Sequence, residues 1–304
     1  YWVDTTIVSN RGADGRILGY TAIRFDVTPL KHARQSLWDQ AHFDALTGVA
    51  NRLHFLNLLD KRTLTAKGEP FCVAMLDLDH FKEVNDAGGH DAGDILLTTV
   101  AKITASHLQD GEVLGRLGGD EFALVLNTSQ DPAHLDARLR AILQDIHAFR
   151  LDNSATPRST ASIGVAAFPQ DGETGHELMR RSDLALYAAK RCGGDDWRRF
   201  KPDYEANAAR LLDLRTRFYK ALANGQIQIY FQPIVALNGA PPSFEALVRW
   251  IDDDGTILRP ASFVEILEEE PSAREIGNLA LHTVIAQIEQ WDRDGLAFTT
   301  VTVN

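Results

Sequence analysis

Phe71-Cys72-Val73-Ala74-Met75-Leu76-Asp77-Leu78-Asp79-His80-Phe81-Lys82 is the stretch that decides the fold. An unbroken apolar run from Phe71 to Leu76 predicts a central strand buried on both faces. The run ends in two carboxylates separated by one residue, followed by a lysine. Side chains alternate along a strand, so Asp77 and Asp79 are expected on one face. Carboxylates at a strand terminus are a common way to hold Mg²⁺, a hard cation that takes oxygen ligands, beside a phosphate. The plainer alternative makes Asp79 a cap for the next turn and leaves Asp77 solvated.

Working outward, strand and helix alternate over residues 44–200. Helices are predicted over 51–65 (apolar at Leu53, Leu56, Leu58 and Leu59), 92–107, 132–147 and 175–191. A strand is predicted over 160–168 and a hairpin over 113–126, folded at Gly118-Gly119. The pattern is that of a mixed α/β domain with helices over an antiparallel-containing sheet.

Two glycine-bearing segments accompany the acidic strand end. In Arg116-Leu117-Gly118-Gly119-Asp120-Glu121-Phe122 the glycine pair reads as a tight primed turn between apolar strands. Glycine lets backbone approach a bound phosphate closely, and two carboxylates follow at once. An ordinary hairpin with solvated acids is the bland reading. Asn85-Asp86-Ala87-Gly88-Gly89-His90-Asp91-Ala92-Gly93-Asp94 reads as a glycine-rich loop entering a helix, with Asp91 as its cap. An amide at Asn85 and a carboxylate at Asp94 can read the edge of guanine; simple loop chemistry is the alternative.

The flanks differ in character. Residues 1–28 read as a β-hairpin, with Asn10, Gly12, Asp14 and Gly15 at its turn. A lone hairpin is marginal in water, so it reads as the end of a domain that starts upstream. Residues 29–43 predict a linker helix on which Leu30, Ala33, Leu37 and Ala41 repeat at heptad-like spacing. That stripe either packs on its own domain or forms a parallel dimer seam. Residues 208–304 predict a helix (210–223), strands over 226–235 and 243–250, a helix over 273–294 and an apolar strand over 298–304. The last strand reads as cut short, since its backbone is left unpaired.

Composition narrows the functional classes. With 42 acidic and 31 basic residues the net charge is −11, which argues against a broad nucleic-acid surface. An acidic protein that handles a polyphosphate needs metal ions and a few well-placed cations. Cys72 and Cys192 are the only cysteines and suggest neither a disulfide framework, a zinc site nor secretion. The longest stretch without charged side chains, 221–244, contains Asn224, Gln226, Gln228, Gln232, Pro233, Pro241 and Pro242, so no membrane contact is expected in this segment. No signal peptide is legible, and a start at Tyr1 reads as the interior of a longer protein, whose upstream part is the place for any membrane anchor.

Taken in order, Asp44-Ala45-Leu46-Thr47-Gly48-Val49-Ala50-Asn51-Arg52, the block from Asp77 to Asp94, Gly118 to Phe122, Ala161-Ser162-Ile163-Gly164-Val165 and Ala185-Leu186-Tyr187-Ala188-Ala189-Lys190 resemble the motifs of the GGDEF family, the diguanylate cyclases. The resemblance covers residues 44–202. It implies an α/β (α+β) fold with a βαββαβ core akin to nucleotidyl cyclases and polymerase palms. It implies that two GTP are joined into cyclic di-GMP with release of pyrophosphate, by a homodimer with facing sites in the bacterial cytoplasm. Carried over by residue, it implies that Asp77, the Leu78 carbonyl and Asp120 hold Mg²⁺ (or Mn²⁺). Asp120 and Glu121 become the acidic pair needed for activity, and Gly118 and Gly119 admit the substrate. Lys82 and Lys190 contact phosphates with help from backbone near Phe81. Asn85 and Asp94 read guanine, with His90 close to the substrate.

Two departures stand out. The family's product-inhibition motif, arginine-x-x-aspartate, is Gln109 and Glu112 in this chain, and glutamine lacks the guanidinium fork that grips a phosphate. A family arginine four residues past Lys190 is Gly194; Arg191 or Arg198 would have to substitute, or triphosphate affinity drops.

Residues 208–304 resemble the opening of an EAL domain, a cyclic di-GMP phosphodiesterase, through Tyr230-Phe231-Gln232-Pro233-Ile234-Val235, Phe244-Glu245-Ala246-Leu247-Val248-Arg249-Trp250 and Val301-Thr302-Val303-Asn304. The resemblance implies that Glu245 and Asn304 are metal ligands, Arg249 a phosphate contact and Gln232 a ligand-side residue. A full (β/α)8 barrel takes about 250 residues, so hydrolysis is not expected from this segment. Residues 1–28, ending Phe25-Asp26-Val27-Thr28, resemble the last strands of a PAS domain. The leading expectation is a Mg²⁺-dependent diguanylate cyclase. The alternative is a GTP-binding module that tunes an EAL phosphodiesterase in the full-length protein.

Overall fold

The structure, a computed structural model, describes all residues except 12, 14, 129–131, 152–157 and 304. Gly12 and Asp14 of the expected hairpin turn, and the expected metal ligand Asn304, lie outside the described residues. The chain divides into two compact units, Tyr1–Tyr204 and Glu205–Asn304. No helix among the described residues is long and apolar enough to cross a membrane.

The first unit opens with β1 (Val3–Arg11) and β2 (Ile17–Asp26), paired antiparallel. Helix α1 (Thr28–His42) has a proline in its first turn, where the missing N–H costs nothing, and buries no residue. Leu30 and Leu37 of the heptad-like stripe are 70% and 67% exposed.

There follow β3 (Ala50–Asn51), α2 (Arg52–Thr65), β4 (Phe71–Asp79), α3 (Phe81–Ser106), β5 (Val113–Gly118), β6 (Glu121–Asn127), α4 (Pro132–Ala148), β7 (Thr160–Phe168), α5 (Gly175–Arg191) and β8 (Trp197–Arg199). The strands form one sheet in the order β3-β5-β6-β4-β7-β8. From β4 to β7 the order is the expected βαββαβ. Central β4 is antiparallel to β6 on one side and to β7 on the other.

Two helical layers explain why β4 reads as a continuous apolar run. Cys72, Ala74, Leu76 and Leu78 pack in a cluster with Leu97 and Val100 of α3 and Leu139 and Ile142 of α4. Phe71, Val73 and Met75 pack on the other face with Phe55 and Leu59 of α2 and Leu178 and Leu186 of α5. Odd-numbered Asp77 and Asp79 therefore belong to the face that α5 covers. Helix α5 is seated very closely: a Cβ on Gly164 of β7 would lie 2.0 Å from Leu186 N and 2.1 Å from Ser182 O. A reciprocal Thr174/Glu177 capping box fixes its start.

Three expectations need correction. Residues 85–94 are not a loop: α3 begins at Phe81, and only Gly89 (φ 75°, ψ 173°) leaves helical geometry. Val84 is wholly buried and anchors the first turns, so packing outweighs the poor helix propensity of Asn, Asp and Gly. The expected cap at Asp91 falls inside this same helix. In the hairpin, a register shift between Arg116 and Gly118 puts Gly118 opposite Glu121. The turn tip is thus Gly119-Asp120, one residue later than expected, as a bulge requires.

The second unit is built on α6 (Pro202–Ala223, beginning just before the unit boundary), β9 (Ile227–Ile234), β10 (Ser243–Ile251), β11 (Ile257–Leu258), a 3₁₀ turn at Pro260–Ser262, α7 (Val264–Leu267), α8 (Glu270–Asp294) and β12 (Val301–Val303). Strand β10 pairs antiparallel with β9 and β11 and parallel with β12. Trp250, Phe218, Phe263 and Ile266 form its core. Helix α6 starts earlier, and β12 is shorter, than the sequence pattern predicts.

Candidate active site

The end of β4 puts Asp77 within electrostatic reach of Asp120 and Glu121. Asp77 lies opposite Glu121 on β6 and opposite Ser162 on β7. Lys190, in the last turn of α5, reaches Asp77 Oδ1 at 2.5 Å, and the Asp77 side chain is 13% exposed. Burial pushes the Asp77 carboxyl up to about 6; Lys190 opposes this, while the charges of Asp120 and Glu121 add to it. The hairpin tip and the strand end thus bear on one another electrostatically. Gly119 (φ 53°) and Gly118 (φ 150°) hold backbone that favours glycine.

Asp79, two residues on, has another role. Its side chain accepts hydrogen bonds from Thr160 Oγ1 at 2.7 Å, Ser162 Oγ at 2.8 Å and the Asp195 N–H at 3.0 Å. It is 8% exposed and joins β4, β7 and the strap that follows α5. It does not cap α3, whose N-cap His80 makes no side-chain cap bond. Neither half of the plainer reading holds, since Asp77 is not solvated.

A second network holds the hairpin tip. The Arg116 guanidinium donates to the Gly119 carbonyl twice, at 2.9 and 2.6 Å, and to Asp44 Oδ1 at 3.1 Å. Asp44 also accepts from the Thr47 N–H and hydroxyl at 2.9 and 2.6 Å. Burial opposes ionisation of Asp44, but the bonds from Thr47 and Arg116 prevail and hold its carboxyl below the usual range. Sequence reasoning gave neither Asp44 nor Arg116 a role. They lie 72 residues apart, and no local pattern signals the pair.

The Gly89 break folds α3 so that Gly93 touches Asn85. A Cβ on Gly93 would lie 2.1 Å from Asn85 Oδ1 and 3.2 Å from Phe81 Cζ. Asn85 and Phe81 are half-buried beside that gap, whereas Lys82, His90 and Asp94 are exposed. Lys190, not Lys82, is the lysine found on the carboxylates.

The two departures have physical forms. Gly194 has φ 70°, and a Cβ there would meet the Asp79 carboxylate at 3.0 Å. This strap has no room for an arginine without moving Asp79. Arg198 pairs with Asp196 at 3.0 Å. Glu112 has a fully buried side chain: it binds Arg138 at 2.5 and 3.0 Å and accepts from the Gln109 and Asn127 N–H groups at 2.7 and 2.8 Å. That corner is closed by its own salt bridge.

In the second unit Gln232 lies opposite Glu245, and Glu245 opposite Thr302. Arg249 is four residues from Glu245 along β10 and shares its face. Its guanidinium donates to the Val248 carbonyl at 2.7 Å.

Residues 41–196 match the family model described as diguanylate cyclase, GGDEF domain. The chain belongs to the GGDEF family. Residues 215–304 match the EAL domain, so this is a GGDEF–EAL chain. A cyclic di-GMP phosphodiesterase of Pseudomonas aeruginosa, NbdA, is 32% identical over 97% of this chain and 38% of its own length. The bifunctional diguanylate cyclase/cyclic di-GMP phosphodiesterase MucR of the same species is 33% identical over 96% of this chain and 42% of its own. This GGDEF–EAL chain therefore spans about two fifths of the length of these relatives. The solved coiled coil and GGDEF domain of DgcB from Caulobacter crescentus, in complex with c-di-GMP, superposes with TM-score 0.53 at 32% identity, covering 57% of this chain and 93% of that one.

Proposed function

We propose that residues 44–202 form a diguanylate cyclase that condenses two GTP into cyclic di-GMP. In this reading residues 1–28 close a PAS domain, residues 29–43 link it to the cyclase, and residues 208–304 open an EAL domain. The carrying observation is buried Asp77, raised to about 6, paired with Lys190 and under the influence of Asp120 and Glu121. Such an arrangement calls for a cation.

The donors fit Mg²⁺ or Mn²⁺. Among the described residues no three His, Cys, Asp or Glu side chains converge into a cage. Magnesium is ordinarily held by one or two carboxylates together with substrate phosphates, and Asp77, Asp120 and the Leu78 carbonyl supply hard oxygens. A bound divalent ion would lower the pKa of an attacking 3′-hydroxyl and offset charge on the leaving pyrophosphate. Lys190, which holds Asp77 in this structure, would be free to contact a phosphate where a metal took the carboxylate. Lys82 adds a second cation. Gly118 and Gly119 let the chain pass close to the phosphates, and Arg116 fixes the tip that carries Asp120. Asn85 and Asp94 accept and donate at the guanine edge, with His90 nearby. Phosphoryl transfer depends chiefly on such positioning and charge. Each chain binds one GTP, so catalysis needs a homodimer.

A second reading makes this domain a GTP-binding regulator of an EAL phosphodiesterase. Gly194 favours it, because the strap offers no arginine to the triphosphate, as do phosphodiesterase names among the relatives. Incubation with GTP and Mg²⁺ followed by nucleotide chromatography separates the two. Cyclic di-GMP that vanishes in Asp120→Ala supports the cyclase. GTP binding without product sinks it in favour of the regulator.

A further inference from the structure

A recess apart from the carboxylate cluster opens between α4 and the approach to β8. It measures about 410 Å³, with Arg140, Leu143, Gln144 and His147 of α4 facing Asp195, Asp196 and Trp197. Small-molecule sites run from roughly 300 to 1,000 Å³ and combine apolar walls with a few polar groups. The polar groups of this recess are unevenly used. His147 Nδ1 bonds Asp195 Oδ2 at 2.8 Å across it, and Asp196 holds Arg198. Neighbouring arginines are committed as well, Arg138 to Glu112 and Arg199 to Asp136. Arg140 is exposed and pairs with none of the described residues.

In so acidic a chain an uncommitted guanidinium on a recess rim is suited to an anion, and its fork matches a phosphate. Trp197 supplies a flat apolar wall, half-buried and backed by the Arg199 guanidinium 5.6 Å from its ring centre. Aromatic walls of this kind stack nucleobases whatever their sequence. Gln144 offers both a donor and an acceptor to a base edge. We propose that this recess binds a purine mononucleotide, with the ring against Trp197 and Leu143 and the phosphate on Arg140.

The recess is tied to the cluster through Asp195. Its N–H holds Asp79, its side chain holds His147, and its φ of 50° lies next to Gly194 on the strap that leaves Lys190. A ligand that displaces His147 from Asp195 acts directly on that strap.

The test is calorimetric titration of AMP and GMP into the full chain carrying Asn85→Ala and Asp94→Ala, which removes the proposed guanine readers of the carboxylate site. Both nucleotides are expected to bind, and Arg140→Glu, an exposed change that leaves the melting temperature unaltered, weakens them by at least about tenfold. The proposal is overturned if neither nucleotide binds. It is equally overturned if Arg140→Glu binds as the parent does, or if inorganic phosphate binds as tightly as AMP. Because the readout is binding alone, a chain that makes no cyclic di-GMP passes or fails on its own account.

Discussion

Asp79 is saturated by donors from β7 and the strap after α5, whereas Asp77 meets one lysine and two neighbouring acids. Asp77 consequently holds its proton more tightly in the fold, at about 6, than at the ordinary value of 3.8. Its contribution to stability is fully present below pH 3.8 and is lost as pH rises through 6, by on the order of 3 kcal/mol at most. In metal-free protein, denaturant melts at pH 5 and pH 8 should therefore differ less for Asp77→Asn than for the parent; equal differences would rule out the buried Asp77 carboxyl as the source. Mg²⁺ should restore the parent at pH 8, since the metal takes the deprotonated carboxylate. Gly93→Ala tests the guanine edge. Alanine suits a helix better than glycine by up to about 1 kcal/mol, but its Cβ collides with Asn85 Oδ1. The melting temperature should stay close to the parent's while KM for GTP rises about tenfold; an unchanged KM removes Asn85 from recognition. The acids themselves were legible in the sequence, but their division of labour was not. Thr160, Ser162 and Asp195 stand 81, 83 and 116 residues from Asp79, and two hydroxyls and a backbone N–H at such separations leave no trace in a local pattern.

At the scale of elements, β7 and α5 carry Lys190 to the carboxylates, and their contact allows no side chain at Gly164. Gly164→Ala should cost at least about 3 kcal/mol, an overpacking penalty at the high end because both colliding atoms are backbone. Thermal melts check this, and a loss below about 1 kcal/mol would mean that α5 is not seated as described. The Glu112 corner yields a prediction of another kind. Gln109→Arg restores the family's arginine, yet it should not restore product inhibition, because Glu112 is already held by Arg138. Initial rates with and without added cyclic di-GMP decide it. Strands and helices with strong periodicity were readable to their ends, as with β7 and α5. The two-residue β3 and three-residue β8 were not, being too short to show any period. The 85–94 segment misled because its composition is that of a loop and its anchor, Val84, lies just outside it.

For the whole molecule, the proposed reaction needs two chains, and α1 exposes Leu30 and Leu37. Leu30→Glu with Leu37→Glu should leave GTP bound per chain unchanged and lower cyclic di-GMP formation about tenfold or more at micromolar protein, if the stripe is the seam. Sedimentation alongside the assay checks that the loss follows dissociation; full activity in a monomer would refute the dimer requirement. The change of character that the sequence shows over 202–208 lies near the division after Tyr204, and each unit carries its own apolar cluster. The six-stranded sheet is bounded by β3 and β8, two and three residues long, so that each outermost strand itself offers scarcely any backbone ladder. Chains that meet in solution thus find little edge strand on which to lengthen this sheet. An encounter at this sheet is steered toward helices and loops, the geometry that two opposed nucleotide pockets of the proposed reaction require.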